Sequence, residues 1–262
     1  MLAFPNAKVN LGLHITGKRK DGYHNIESCL FPIPWTDVLE VIPSRSFSFT
    51  STGLPIEGGD SDNLCVKAYD LLKKSHNLPP LDIHLHKVIP MGAGLGGGSS
   101  DGAFTLKIIN ELCQLELSDK ILMEYAGDLG SDCPFFIANQ PVIARGRGTE
   151  LTPFEVDLSG WYIALSCPDV HVSTKEAYAE AIPKSSCNPI QYTLAHQDNW
   201  RQGLRNDFEL SIFRKYPIIQ SIKVKMYDLG ASYASMTGSG AAVFGLFKSK
   251  PVGNFNFLEQ LK

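Results

Sequence analysis

Residues 90–103 read Pro-Met-Gly-Ala-Gly-Leu-Gly-Gly-Gly-Ser-Ser-Asp-Gly-Ala, with five glycines between positions 92 and 98 followed by two serines. A backbone without Cβ atoms can approach phosphate oxygens closely. Its N–H groups, and the N-terminus of a following helix, point at the negative charge. Pro90, Met91, Gly92, Ala93, Gly94, Leu95, Gly96, Gly97, Gly98, Ser99 and Ser100 therefore form a candidate phosphate cradle. Other residues able to do chemistry are Lys8 and Asn10 near the start of the chain, the Tyr23-His24 pair, and Asp132 in Leu129-Gly-Ser-Asp-Cys-Pro-Phe-Phe136. Each also has a plain structural reading. Lys8 and Asn10 fit an exposed strand face, Tyr23 and His24 fit strand positions, and Asp132 fits a turn cap.

Two familiar phosphate motifs bear comparison with the glycine run. The P-loop needs Lys and then Ser or Thr after its last glycine, and Gly98-Ser99 stand there instead. The dinucleotide fingerprint G-x-G-x-x-G matches through Gly92, Gly94 and Gly97, with Glu116 about 20 positions on. That acid should close a buried strand, whereas residues 111–119 read as a helix end and loop. An NAD-binding oxidoreductase is thus a weak alternative.

The cradle has the flanks it needs. Leu81-Asp-Ile-His-Leu-His-Lys-Val-Ile89 alternates apolar and polar residues as a half-buried strand does. Ala103, Leu106, Ile109, Asn110 and Cys113 recur at helical spacing, with Ser99 and Ser100 as candidate caps. Residues 7–15 also alternate, placing Lys8, Asn10, Gly12 and His14 on one face. A turn at Asp21-Gly22 follows, then strands near 26–33, 38–42 and 47–50, and a helix over 63–75. A second helix starts at Ser118, with 129–136 as a loop, and strands follow at 142–145 and 150–153. Beyond a boundary near 155, a strand covers 161–168 and Ser173-Thr-Lys-Glu176 fits a capping box. Residues 183–197 read as irregular. Helices follow at 207–215 and 217–229, and residues 232–247 read as strand, Gly-Ser-Gly turn, strand.

At 262 residues, with 44% hydrophobic content, the chain suits two modest domains. Its formal charge of −3 gives no electrostatic case for nucleic acid or an anionic membrane. The short Lys18-Arg19-Lys20 cluster fits a solvated turn or a draw for an anionic substrate. Six cysteines without C-x-x-C spacing predict buried free thiols in a reducing compartment. His84 and His86 share a strand face and read as sheet surface rather than metal ligands. Pro5 and Lys8 interrupt any leader-like apolar run, and the expectation is a cytoplasmic protein.

Three stretches together resemble a known family. The glycine loop is similar to the second motif of the small-molecule kinase superfamily that contains galactokinase, homoserine kinase, mevalonate kinase and phosphomevalonate kinase. The first strand resembles its opening motif, and Met236-Thr-Gly-Ser-Gly-Ala-Ala-Val-Phe-Gly245 its third. Within it, Gly17-Lys-Arg-Lys-Asp-Gly-Tyr-His24 and Gly130-Ser-Asp-Cys-Pro-Phe-Phe136 resemble the branch acting on a cytidyl-linked methylerythritol in non-mevalonate isoprenoid synthesis.

The resemblance implies a two-domain α/β (α+β) kinase fold, divided as 1–154 and 155–262, with ATP and substrate meeting in a cleft between domains. It implies phosphorylation of the 2-hydroxyl of the methylerythritol moiety, with Asp132 as base and Lys8 as its charged partner. Tyr23 and His24 match residues that hold the cytosine ring, and Tyr178 an aromatic on its other side. Asn10 matches a polar residue beside the diol, and Gly238, Ser239 and Gly240 a wall near the substrate phosphates. Thr174 reaches the same area or serves only as part of a helix cap. ATP is expected to bring Mg²⁺. Relatives hold that ion through a serine like Ser100 and a glutamate, and no matching glutamate is found, so no protein ligand is assigned. Gly102 departs from the usual loop and is expected to weaken the helix start slightly. The expected partners are small molecules only, with the chain a monomer or weak homodimer. Rivals are a homoserine or mevalonate kinase, and a nucleotide-binding module without catalysis.

Overall fold

The alternation at 7–15 becomes part of a long strand, and its polar face is not solvated: Lys8, Asn10 and His14 are each buried. The computed structural model describes residues 1–56, 58–181, 183 and 189–262. In chain order the elements are β1 (Leu2–Ala3), β2 (Asn6–Lys18), β3 (His24–Thr36), β4 (Val38–Pro43), β5 (Ser48–Gly53), α1 (Leu64–Ser75), β6 (Leu81–Lys87) and α2 (Gly97–Leu112). There follow α3 (Asp119–Leu129), α4 (Cys133–Ala138), β7 (Val142–Gly146), β8 (Glu150–Pro153), β9 (Tyr162–Ser166), α5 (Thr174–Ala179), α6 (Ile190–Leu194) and α7 (Trp200–Gly203). The chain ends with α8 (Glu209–Lys215), α9 (Pro217–Asp228), β10 (Tyr233–Met236), β11 (Val243–Phe247) and β12 (Phe257–Gln260).

These elements form two units. The first holds residues 1–7, 35–91 and 96–140; the second holds 8–34, 92–95 and 141–262. In the first, a sheet of order β1-β4-β6-β5 pairs β6 antiparallel to β4 and parallel to β5. Leu81, Ile83 and Leu85 of β6 are fully buried, as the period-two pattern predicts, and Lys87 continues the same face. His84 and His86 line the other face, both within hydrogen-bond distance of the Thr52 hydroxyl.

Helix α2 packs against α1, α3, α4 and β4. It begins at Gly97, with Gly96 in the left-handed conformation before it, so Ser99 and Ser100 lie inside the first turn and are not its caps. Gly102 has a packing role in this helix. A Cβ there would come within 2.9 Å of the Leu64 Cβ, so glycine permits the close approach of α1 and α2.

Two further corrections concern short helices. Residues 129–136, read as a loop, include the start of α4, where Pro134 occupies the first turn and needs no N–H partner. Within 183–197, residues 184–188 lie outside the described residues, but Ile190–Leu194 forms α6, burying Ile190 and Leu194. One apolar pair four residues apart was too little periodicity to detect.

The second unit contains sheets of order β2-β3-β7-β8 and β10-β11-β9-β12. Leu13, Ile15, Ala177, Phe208, Ile219, Met226, Ala234 and Val243 share its core. Ser173 caps α5 by accepting from the Glu176 N–H, while the Glu176 carboxylate turns to Lys215 and Tyr216 instead of closing the box.

Cys29, Cys65 and Cys133 are buried free thiols, Cys113 and Cys167 only half-buried ones, and Cys187 lies outside the described residues. Burial pushes Cys29 up to about 12 and, despite a hydrogen bond to Ser99 that lowers it, Cys133 up to about 11. Among the described residues no helix is long and apolar enough to cross a membrane.

Candidate active site

In the second unit, one hydrogen-bond network joins three segments that are far apart in sequence. The Lys8 ammonium donates to Asn10 Oδ1 at 2.8 Å and to the Gly94 carbonyl at 3.0 Å. Asn10 Oδ1 also accepts from the Gly238 N–H at 2.9 Å and lies 3.1 Å from the Thr237 hydroxyl. Asn10 Nδ2 donates to Ser28, whose hydroxyl donates to the Gly12 carbonyl. Strand β2 is further tied to the glycine segment by the Lys8 N–H to Leu95 carbonyl bond, and Ala242 donates to Ala93. The opening strand, residues 92–95 and the 236–242 turn are therefore built as one piece. Asn10, burying an amide, satisfies both of its ends, as a buried polar group must.

The 236–240 turn rests on residues that the sequence reading missed. Asn206 Nδ2 donates to both the Met236 and Gly238 carbonyls at 2.9 Å, and its Oδ1 accepts from the Phe208 N–H. Glu209 accepts from the Met236 N–H at 2.9 Å. Asp207 accepts from the Ile15 N–H at 2.7 Å. The signal available was the polar Asn206-Asp207 pair just before an amphipathic helix. Asn206→Ala takes one donor from the buried Met236 carbonyl, which keeps the Ser235 hydroxyl, and the Asn206 donor from the half-buried Gly238 carbonyl, and should cost about 1–3 kcal/mol of unfolding free energy. Urea denaturation checks this; a loss below about 1 kcal/mol would mean the turn does not depend on Asn206.

The aromatic residues form a neighbouring group. The His24 ring stacks on Tyr178, centroids 5.1 Å apart and planes 21° apart, and Tyr178 meets Phe208 edge-on. Burial, helped by the Lys18 charge, lowers the His24 pKa, so its imidazole is neutral at pH 7 and offers one donor and one acceptor. Tyr23 is about half exposed, and the Arg147 guanidinium lies 3.7 Å from its ring centroid. Thr174 opens α5 directly after its cap.

In the first unit, the start of α2 carries Ser99 and Ser100. Ser100 is fully buried, and its Oγ has no hydrogen-bond partner among the described residues. A helix of 16 residues that opens on glycines, with an unpaired hydroxyl in its first turn, fits an anionic oxygen. Asp132 is half-buried at the start of α4, with φ −87° and ψ −17°, and its side chain makes no capping bond. The Cys133 thiol, beside Ser99, feels the Asp132 charge.

These features define a small-molecule kinase of the GHMP type. Residues 63–146 match the family described as GHMP kinases N terminal domain, and residues 193–254 match GHMP kinases C terminal. A 4-diphosphocytidyl-2-C-methyl-D-erythritol kinase of Cytophaga hutchinsonii is 51% identical, over 96% of this chain and 94% of that protein. One of Azobacteroides pseudotrichonymphae is 49% identical, over 98% of each. A crystal structure of 4-(cytidine 5'-diphospho)-2C-methyl-D-erythritol kinase superposes with a TM-score of 0.82 at 32% identity, covering 94% of this chain and 90% of that one. The Methanococcus jannaschii mevalonate kinase, at 15% identity and a TM-score of 0.70, shares the fold. The chain belongs to the GHMP kinases, in the group of the 4-diphosphocytidyl-2-C-methyl-D-erythritol kinases.

Proposed function

We propose that this kinase transfers the γ-phosphoryl group of ATP to the 2-hydroxyl of 4-diphosphocytidyl-2-C-methyl-D-erythritol, giving the 2-phosphate and ADP, in non-mevalonate isoprenoid synthesis. The observation that carries the reading is the network joining Lys8, Asn10, Gly94 and Gly238. It assembles parts of all three kinase motifs around one ammonium.

An alcohol is barely ionised at neutral pH, so its proton must leave as the oxygen attacks phosphorus. Asp132 takes that proton. The new O–P bond forms as the bond from the γ-phosphorus to the bridging oxygen breaks, and ADP carries away the electron pair. Phosphoryl transfer otherwise depends on alignment and on charge around the moving group. Lys8 supplies positive charge that favours the Asp132 carboxylate and the developing negative charge. The run 90–100 holds the ATP phosphates, with Mg²⁺ arriving as part of the nucleotide substrate. Tyr23, His24 and Tyr178 hold the cytosine, and Gly238, Ser239 and Gly240 face the substrate phosphates. In this scheme residues 1–154 carry the nucleotide loop and the Lys8–Asp132 pair, and residues 155–262 complete the substrate site.

The test is ADP release from ATP and Mg²⁺ with the cytidyl substrate, homoserine or mevalonate as separate acceptors. Turnover is expected with the cytidyl substrate alone. Turnover with another acceptor would keep the kinase and overturn the roles of Tyr23 and His24.

A further inference from the structure

Beneath the glycine run the first unit buries three charges that the phosphoryl-transfer scheme does not use. Lys87 ends β6 on its apolar face, and its side chain is 1% exposed. Its ammonium lies 2.5 Å from Asp37 Oδ2 and 2.8 Å from Asp101 Oδ2, with both carboxylates almost wholly enclosed. Asp37 Oδ1 accepts from the N–H groups of Val88 and Ile89, at 2.6 and 2.8 Å. Asp101 belongs to the first turns of α2. The ammonium also lies close under the helix start, since a Cβ on Gly97 would come within 2.9 Å of Nζ.

One side chain is thus tied to the strand exit at 88–89, through Asp37, and to the helix start, through Asp101. Residues 90–96 are bracketed between those two anchors. Stability does not explain the arrangement. Removing three charges from water costs several kcal/mol per ion, and a well-packed apolar trio is often as stable or more so. What buried ion groups supply instead is register, because their hydrogen bonds tolerate only one geometry. With both carboxylates ionised the cluster carries one negative charge in excess, and burial and the Asp37 charge outweigh Lys87 and raise the pKa of the Asp101 carboxyl. Cys65 of α1 faces the same group as a neutral thiol, its ionisation opposed by burial and by both carboxylates, and its pKa raised far above the ordinary range.

We infer that Lys87, Asp37 and Asp101 are positioning residues that fix the two ends of the glycine run at the separation nucleotide phosphates require. The inference rests on the reading of residues 90–100 as the ATP site, and it deepens that reading. It assigns the cluster no contact with substrate.

The test uses the full chain and compares KM for ATP, KM for the cytidyl acceptor, kcat, and the Kd for ADP by calorimetry, with thermal unfolding as the check on folding. Lys87→Met removes both ties, and should raise the ATP KM and the ADP Kd by about tenfold or more, leaving the acceptor KM within about twofold. Asp101→Asn keeps an oxygen for Lys87 and removes the excess charge, so ADP binding should stay within about twofold or tighten. Asp101→Leu cuts the tie to α2 while leaving the Lys87–Asp37 pair, and should weaken ADP binding by about fivefold or more. It decides the matter if Lys87→Met does not fold. Folded variants whose ADP Kd does not move, or whose two KM values rise together, overturn the inference. Wild-type protein that fails to bind ADP overturns the reading of the ATP site and the inference with it. Wild-type binding with unmoved variants overturns the inference alone.

Discussion

Asp132→Asn should lower kcat by about 10²-fold or more while leaving the KM values for ATP and acceptor within about threefold. The amide has nearly the size of the carboxylate and still accepts a hydrogen bond, but it cannot take up the proton of the attacking hydroxyl. Asp132 makes no capping bond to α4, so the substitution breaks no hydrogen bond at that cap. A loss confined to kcat is the signature of an interaction that matters only in the transition state. Steady-state kinetics with the cytidyl acceptor, backed by ADP calorimetry, checks both halves. A kcat within about fivefold of wild type would remove Asp132 from the chemistry and leave alignment alone to explain the rate.

Gly94→Ala should be the most damaging single methyl in the second unit. Gly94 sits at φ +77°, where a side chain costs about 1–2 kcal/mol. The added Cβ would also lie 2.1 Å from the Thr237 carbonyl oxygen, a contact that backbone must move to relieve. That carbonyl accepts from the Gly240 N–H, and the Gly94 carbonyl itself accepts from Lys8. Displacement therefore spreads to both walls of the network. The expected result is a loss of about 3 kcal/mol or more in stability and an ATP KM raised by about tenfold. Gly98→Ala is the control for stability, because its Cβ would meet nothing within 4 Å. If urea denaturation found the two variants equally stable, the close packing of Gly94 on the 237–240 turn would not matter to the fold.

Much of this protein was legible without coordinates. Alternation gave β2 and β6, helical spacing gave α1, α2 and α9, and Pro217 and Gly230 bracketed the last of these. Such signals work because they are local: a residue's neighbours two, three or four positions away share its face. The kinase motifs were legible for a related reason, since the chemistry of phosphate binding demands glycine and small polar residues in consecutive positions.

Partnerships across the chain were not legible. The Lys87 ammonium sits on the apolar parity of β6, an anomaly visible in the sequence, yet Asp37 lies 50 positions away and only strand pairing brings it within reach. Asn10 meets Thr237 across 227 residues, and Asn206 supports a turn 30 residues further on. The same holds for the second unit, which gathers residues 8–34 with 141–262. The sequence by itself determined the long strands and helices and the three family motifs, though not the short α4 and α6, because hydrophobic period and turn chemistry act over a few residues. Tertiary structure alone decided which polar side chains are buried and what satisfies them. That depends on strand register and on helix approach distances, such as the one Gly102 permits, and neither is written in any short stretch of chain.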